Sequence, residues 1–120
     1  MIGKVNLAAK LKLIDEYWSP KVVGEIGDQC LKLVKLQGDF VWHKHEAEEE
    51  LFYVVSGKLV LQLRDGELTL EPGEFAIIPR GVEHLPVAEH EVHVLLIEPK
   101  STLNTGDVSN DRTVDVLERI

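Results

Sequence analysis

Cysteine, basic residues and long apolar runs are all scarce in this chain. Cys30 is its single cysteine, so no internal disulfide can form and a reducing compartment is expected. It lies in the strand-like run QCLKLVKL and reads as a small buried hydrophobe rather than a nucleophile. Lysine and arginine number 13 against 21 acidic residues, for a formal charge of -8. That deficit argues against nucleic acid or an anionic membrane surface as a partner, since both require a basic face. Small-molecule ligands stay open. No apolar run approaches the ~18 residues needed to cross a bilayer. The opening MIGKVNLAAK has no long apolar stretch and no small-residue cleavage site, so a cytoplasmic protein is expected. No Ser/His/Asp or Cys/His arrangement for nucleophilic catalysis is visible, and neither is an internal repeat or a low-complexity segment.

What is present reads as a single domain of 120 residues. Its hydrophobic share of 44% is enough for a core without disulfides or a metal staple. NLAAKLKLI, residues 6–14, predicts one short helix with Asn6 as N-cap and Leu7, Leu11 and Ile14 on one side. Pro20 bounds it. KVVGEIG is a strand ended by Gly27 and Asp28. From residue 29 the texture is β: CLKLVKLQG, EEELFYVVSG, KLVLQLRDG, ELTLEPGE, FAIIPRG and EVHVLLIEP, each ended by glycine or proline. Leu59, Leu61 and Leu63 alternate with Lys58, Gln62 and Arg64. Asp65-Gly66 predicts a type I′ hairpin turn. Short strands without crossover helices predict an all-β antiparallel barrel or sandwich. The barrel core is expected at about 29–99, with an N-terminal extension over 1–28 and a polar, turn-rich tail over 100–120. The tail reads either as a flexible extension or as a segment packing Val108, Val114, Val116, Leu117 and Ile120 onto the barrel or a partner subunit.

One stretch, HKHEAEEELFYVVSGKLV over residues 43–60, sets imidazoles and carboxylates against an apolar strand. On a strand, residues two apart share a face, so His43 and His45 present both rings together. If Glu50 points the same way, Phe52 and Val54 follow it inward and line an interior with Leu59 and Leu61. Glu46, Glu48 and Glu49 then read as solvated loop charges. Pro79 and Gly81 make a turn that can return His84 across the barrel. Three neutral imidazoles and a carboxylate suit one divalent transition metal: iron, manganese, nickel, cobalt, copper or zinc. The bland alternative is surface histidines in a charged loop. His90 reads as exposed. His93 faces inward with Leu95 and Ile97, or outward while Val92, Val94 and Leu96 face in. Trp42 points away from His43, toward outer packing or an interface. Glu83, beside His84, is an acid/base candidate or a rim charge.

The spacing of these residues resembles the cupin superfamily over roughly residues 38–99. The first motif of that family is Gly, five residues, His-x-His, three or four residues, Glu, six residues, Gly. Here His43-Lys44-His45 is followed after four residues by Glu50 and after six more by Gly57. The second motif is Pro-Gly, five residues, Pro-x-Gly, two residues, His, three residues, Asn. Here Pro72-Gly73 precedes Pro79-Arg80-Gly81 by five residues, and His84 follows after two. Two positions depart: only four residues separate Gly38 from His43, and Ala88 occupies the terminal Asn position. The resemblance implies a small jelly roll of two antiparallel sheets and metal ligands His43, His45, Glu50 and His84. It also implies a tendency to form homodimers through sheet edges.

Fold does not give function in such a family. One expectation is a small metalloenzyme of dioxygenase or isomerase type acting on an oxygen-rich metabolite. The other is a noncatalytic module that binds or senses a small molecule. The state of the pocket separates them: an open metal with polar groups around it, or an apolar cavity.

Overall fold

The computed structural model describes residues 2–120. A short helix, α1 (Leu7–Leu11), is followed by β1 (Lys21–Ile26), β2 (Gln29–Asp39), β3 (Glu50–Ser56), β4 (Leu59–Leu63), β5 (Gly66–Leu70), β6 (Phe75–Ile78) and β7 (His84–Pro99). The Asn6 side chain caps α1 by accepting from the Ala9 N–H at 2.9 Å. The helix is shorter than the apolar spacing predicts, because the chain tightens into turns at Leu13 and Ile14. Leu11 and Ile14 still reach their target, packing on Leu33 together with Leu7, Val23, Val55, Leu95 and Ile120.

β7 is the organising strand. Its second half lies between β2 and β3, while its first residues pair with β4. β1 extends one sheet beyond β2, β6 extends it beyond β3, and β5 pairs with β4 alone. All strand pairings are antiparallel. One long strand shared by two sheets folds them over a common interior, giving the jelly roll that the family resemblance implies. That interior is packed by Val34, Leu36, Phe52, Val54, Leu59, Leu61, Ile78, Val92, Val94 and Leu96. Truncating a leucine in such a core costs about 2–5 kcal/mol.

Parity along β7 settles His93. Val92 and Val94 are fully buried, so His93 takes the outer face, where its Nε2 meets Glu91 Oε2 at 2.7 Å. His90 is exposed and Cys30 is buried. The hairpin differs from expectation. Leu63 pairs with Gly66, so the two-residue connection is Arg64-Asp65. Among the described residues Trp18 is the non-glycine with positive φ; Asp65 therefore lacks the mirror-image geometry of a type I′ turn. Gly57 does what its motif position requires. At φ +84 a Cβ there would lie 2.7 Å from the Glu91 carbonyl, so only glycine lets β3 turn this close to β7.

The tail is not a loose extension. Thr102 and Thr105 are buried. Lys44 and Asp107 exchange hydrogen bonds, backbone to backbone and backbone to carboxylate, each at 3.0 Å. The last residues run beside β1, where Val22 donates to the Glu118 carbonyl and Ile120 donates to the Val22 carbonyl. Ile120 joins the cluster under α1, whereas Val116 stays exposed. No helix among the described residues is long and apolar enough to cross a membrane.

Candidate metal centre

His43 enters the site on an extended segment outside any regular strand, but tied at one point. Its N–H donates to the His84 carbonyl at 3.1 Å, and the His84 N–H donates back to the His43 carbonyl at 2.9 Å. Two residues on, the His45 carbonyl accepts from the Gly81 N–H at 2.9 Å. The Pro79–Gly81 turn thus delivers His84 to the two earlier histidines. Period-two alternation survives without a ladder: His43 and His45 are buried while Trp42 and Lys44 are half-exposed. Glu50 opens β3, and its side chain is buried with them.

Ligand atoms from His43, His45, Glu50 and His84 all lie within 4.8 Å of one another. His43 Nδ1 sits 2.9 Å from the Val41 carbonyl and His84 Nδ1 sits 3.0 Å from the Val82 carbonyl. A carbonyl only accepts, so both rings hold a proton on Nδ1. In the neutral tautomer that leaves the Nε2 lone pair free. Glu50 Oε1 lies 3.2 Å from His84 Nε2 and 3.4 Å from His45 Nε2. The His45 contact lacks hydrogen-bond geometry, and both nitrogens of that buried ring are without a partner. A buried carboxylate facing the His84 Nε2, beside a buried imidazole with no partner on either nitrogen, calls for a cation between them. The donor set fits a divalent transition ion.

Electrostatics agree with a neutral His43 ring and an ionised Glu50 carboxylate. Burial pulls the His43 imidazole down to about 4, and the neighbouring His84 adds to the effect. Burial alone would raise Glu50, but the adjoining His45 and His84 rings outweigh it and hold the carboxyl well below its ordinary range.

A cavity opens onto His43 and Glu50, walled by Trp18, Val34, Leu36, Phe40, Phe52 and Leu96. With its open mouth included it spans about 440 Å³. Phe52 lines it. Val54, Leu59 and Leu61 are fully buried in the adjoining apolar cluster and touch no part of this cavity, because neighbouring side chains fill the space beside them. Ala88, where the family motif has Asn, is also fully buried in that cluster.

Three features of the cavity were missed by sequence reasoning. Lys32 and Glu98 both line it, with Lys32 Nζ 3.4 Å from Glu98 Oε2 and each side chain buried. Glu98 also lies against Glu50; burial, then the Glu50 charge, push the Glu98 carboxyl well above its ordinary range, while Lys32 opposes. Trp18 stacks on Phe40 with ring centroids 4.7 Å apart. Its φ of +60 is unusual for a bulky residue, and its indole N–H holds the Gln37 carbonyl at 2.9 Å. Finally, the tail reaches the cavity: Asn104 lines it, and the Arg112 guanidinium lies 5.4 Å from the Trp18 ring centroid. On the surface, Glu83 pairs with Arg64 at 3.1 Å, and Arg64 covers the Trp42 ring at 3.8 Å. Glu83 is thus an exposed, paired charge outside the cavity lining, and Trp42 lies beneath Arg64.

Comparison with known proteins agrees with this architecture. The family model for the cupin domain matches residues 32–98. The crystal structure of a cupin-2 domain containing protein from Shewanella frigidimarina is 44% identical, with a TM-score of 0.79, covering 80% of this chain and 94% of that one. Protein NMB1881 from Neisseria meningitidis is 34% identical, with a TM-score of 0.75, covering 82% of this chain and all of that one. The uncharacterized protein YdbB of Bacillus subtilis is 31% identical over 80 residues, 66% of this chain and 71% of that protein. The family match spans more than half of the sequence, and the chain belongs to the cupin domain family.

Proposed function

We propose that this cupin binds one divalent transition metal per chain through His43, His45, Glu50 and His84. We further propose that it acts as a small metalloenzyme, of dioxygenase or isomerase type, on a small oxygen-rich metabolite. The observation that carries the reading is the buried His45 ring, with neither nitrogen partnered, 3.4 Å from the buried Glu50 carboxylate. A bound divalent ion would supply Lewis-acid stabilisation of negative charge developing on a ligand oxygen. The chain's own residues would do the rest. Val41 and Val82 fix two rings through their carbonyls. Phe52, Leu96, Phe40 and Trp18 wall the ligand and limit water. The alternative is a noncatalytic binding module, and the mainly apolar walls favour it. Lys32 and Glu98 weigh on the enzymatic side, because they place titratable groups within the same cavity. We also propose a cytoplasmic homodimer.

Elemental analysis tests the metal reading directly. Wild-type protein should carry about one divalent ion per chain, and His45→Ala should lose most of it. Equal metal in both would sink the assignment.

A further inference from the structure

Lys32 is the charged group that the proposed metal site leaves unexplained. Its residue is 3% exposed, on the inward face of β2 with Val34 and Leu36. Lysine is almost never buried so fully unless something holds its ammonium. Here the holding is slight. An ammonium has three donors, and among the described residues Lys32 spends one of them, on Glu98 at 3.4 Å. Glu98 in turn lies against Glu50 and is shared between the two. Apart from Glu98, His43, Glu50 and Asn104, the cavity lining carries no side-chain acceptor, and the Asn104 oxygen already accepts from the Val114 N–H. As a stabilising device the pair is poor: apolar residues of similar volume commonly do as well or better than a buried ion pair. As a recognition device it is well placed, in the wall of the same cavity that opens on His43 and Glu50.

We propose that Lys32 makes this cavity selective for ligands that carry a carboxylate or similar anionic group in addition to the oxygen donors that would meet the metal. The inference rests on the metal reading above and adds the class of ligand. Register gives the span. Lys32 pairs with Leu96 on β7, and Leu96 pairs with Phe52 on β3, the strand that Glu50 opens. Lys32 and the Glu50 strand are therefore two strand spacings apart, about 10 Å backbone to backbone. Both side chains lean into the cavity, so a few carbon atoms separate the two ends of a fitting ligand. The narrow apolar walls suit a slim carbon skeleton. A carboxylate at Lys32 would replace a long, shared contact with a charge-assisted hydrogen bond in a dry site, where such bonds are strong.

The test uses full-length protein loaded with Co(II), whose visible spectrum reports chelation. The probes are butyrohydroxamate, which has a chelating head and an apolar tail, and the monohydroxamates of malonate, succinate and glutarate, which add a distal carboxylate at increasing reach. At least one carboxylated probe should bind the wild type about tenfold more tightly than butyrohydroxamate, equivalent to about 1.4 kcal/mol. Lys32→Met should collapse that ratio to within about twofold while leaving the butyrohydroxamate affinity within about twofold of wild type. Because Lys32→Met strands a buried carboxyl, the double variant Lys32→Met/Glu98→Gln is measured beside it, and it should behave alike. Glu98→Gln alone, which keeps Lys32, should retain the preference. A wild type with no preference among cobalt-bound probes overturns the inference alone, as does a preference that survives in the double variant. Protein that takes up no cobalt overturns the metal reading and this inference with it.

Discussion

His43 donates its Nδ1 hydrogen to the Val41 carbonyl and keeps its other nitrogen for the cluster, and burial holds it neutral down to about pH 4. This has a cost in the metal-free protein. An unfolded histidine takes up a proton near pH 6.5, whereas folded His43 does not until about 4. Between those values the unfolded state binds more protons, so stability rises with pH and is lost as pH falls through the window. One pKa unit corresponds to ~1.4 kcal/mol, so the loss is at most about 3 kcal/mol. Glu50, held low, adds a loss of the same sign below its ordinary range. Glu98, held high, works in the opposite sense above that range. Chelator-treated wild type should therefore lose stability relative to His43→Gln as pH drops from 6.5 to 4, measured by urea unfolding. Parallel pH profiles for the two proteins would show that His43 titrates as an ordinary exposed histidine.

At the scale of elements, the tail decides how closed the site is. Gly106 has φ +59, and a Cβ there would run into the Lys44 carbonyl and lie 3.0 Å from His43 Cδ2. Gly38 also has positive φ, but open space surrounds its Cβ position. Gly38→Ala thus carries backbone strain alone, of order 1–3 kcal/mol, while Gly106→Ala adds a clash with the backbone between two candidate ligands. Gly106→Ala should lower the melting temperature further than Gly38→Ala and speed proteolytic removal of the tail. Equal behaviour of the two variants would mean that the tail does not bear on the site. This docking had no local signature in the sequence, because it is made of hydrogen bonds between segments some 60 residues apart, such as Lys44 with Asp107. Period-two alternation carries His43 and His45 to one side; Glu50 and His84 join them in the sequence only through the spacing that the family resemblance supplies, and the structure brings all four together. Lys32 was not legible. In CLKLVKL the run Cys30, Lys32, Val34, Leu36 and the run Leu31, Leu33, Lys35 each contain one lysine, and α1 covers Leu33 on the outer face. With both faces partly buried, alternation alone cannot say which lysine points inward. Glu98, next to Pro99 at a strand end, looks like any solvated terminus. The register of β2 on β7 is what brings the two together.

For the whole molecule, the remaining question is what covers the outer face. Of the two ends of the main sheet path, β1 is flanked by the C-terminal residues, which bridge Val22 to Arg119. β6 pairs with β3 alone, leaving its other side open. On that strand Phe75 is 59% and Ile77 53% exposed. They pair with Tyr53 and Leu51 of β3, so the two strands present a joined apolar strip. An open edge beside exposed aromatic and β-branched residues is an aggregation hazard unless something covers it. In a chain of charge -8, like copies repel at long range, so association must come from a short-range apolar contact. A two-fold arrangement that lays one strip against its copy would satisfy that requirement with a closed, self-limiting interface. Light scattering at micromolar concentration should give twice the 13.5 kDa chain mass. Phe75→Asp/Ile77→Asp should give a soluble monomer, since each carboxylate would be buried against its symmetry mate, and its metal content should match wild type because neither residue touches the site. A wild-type monomer under these conditions would rule out the dimer. A variant that stays dimeric would leave the dimer standing and move its interface off β6.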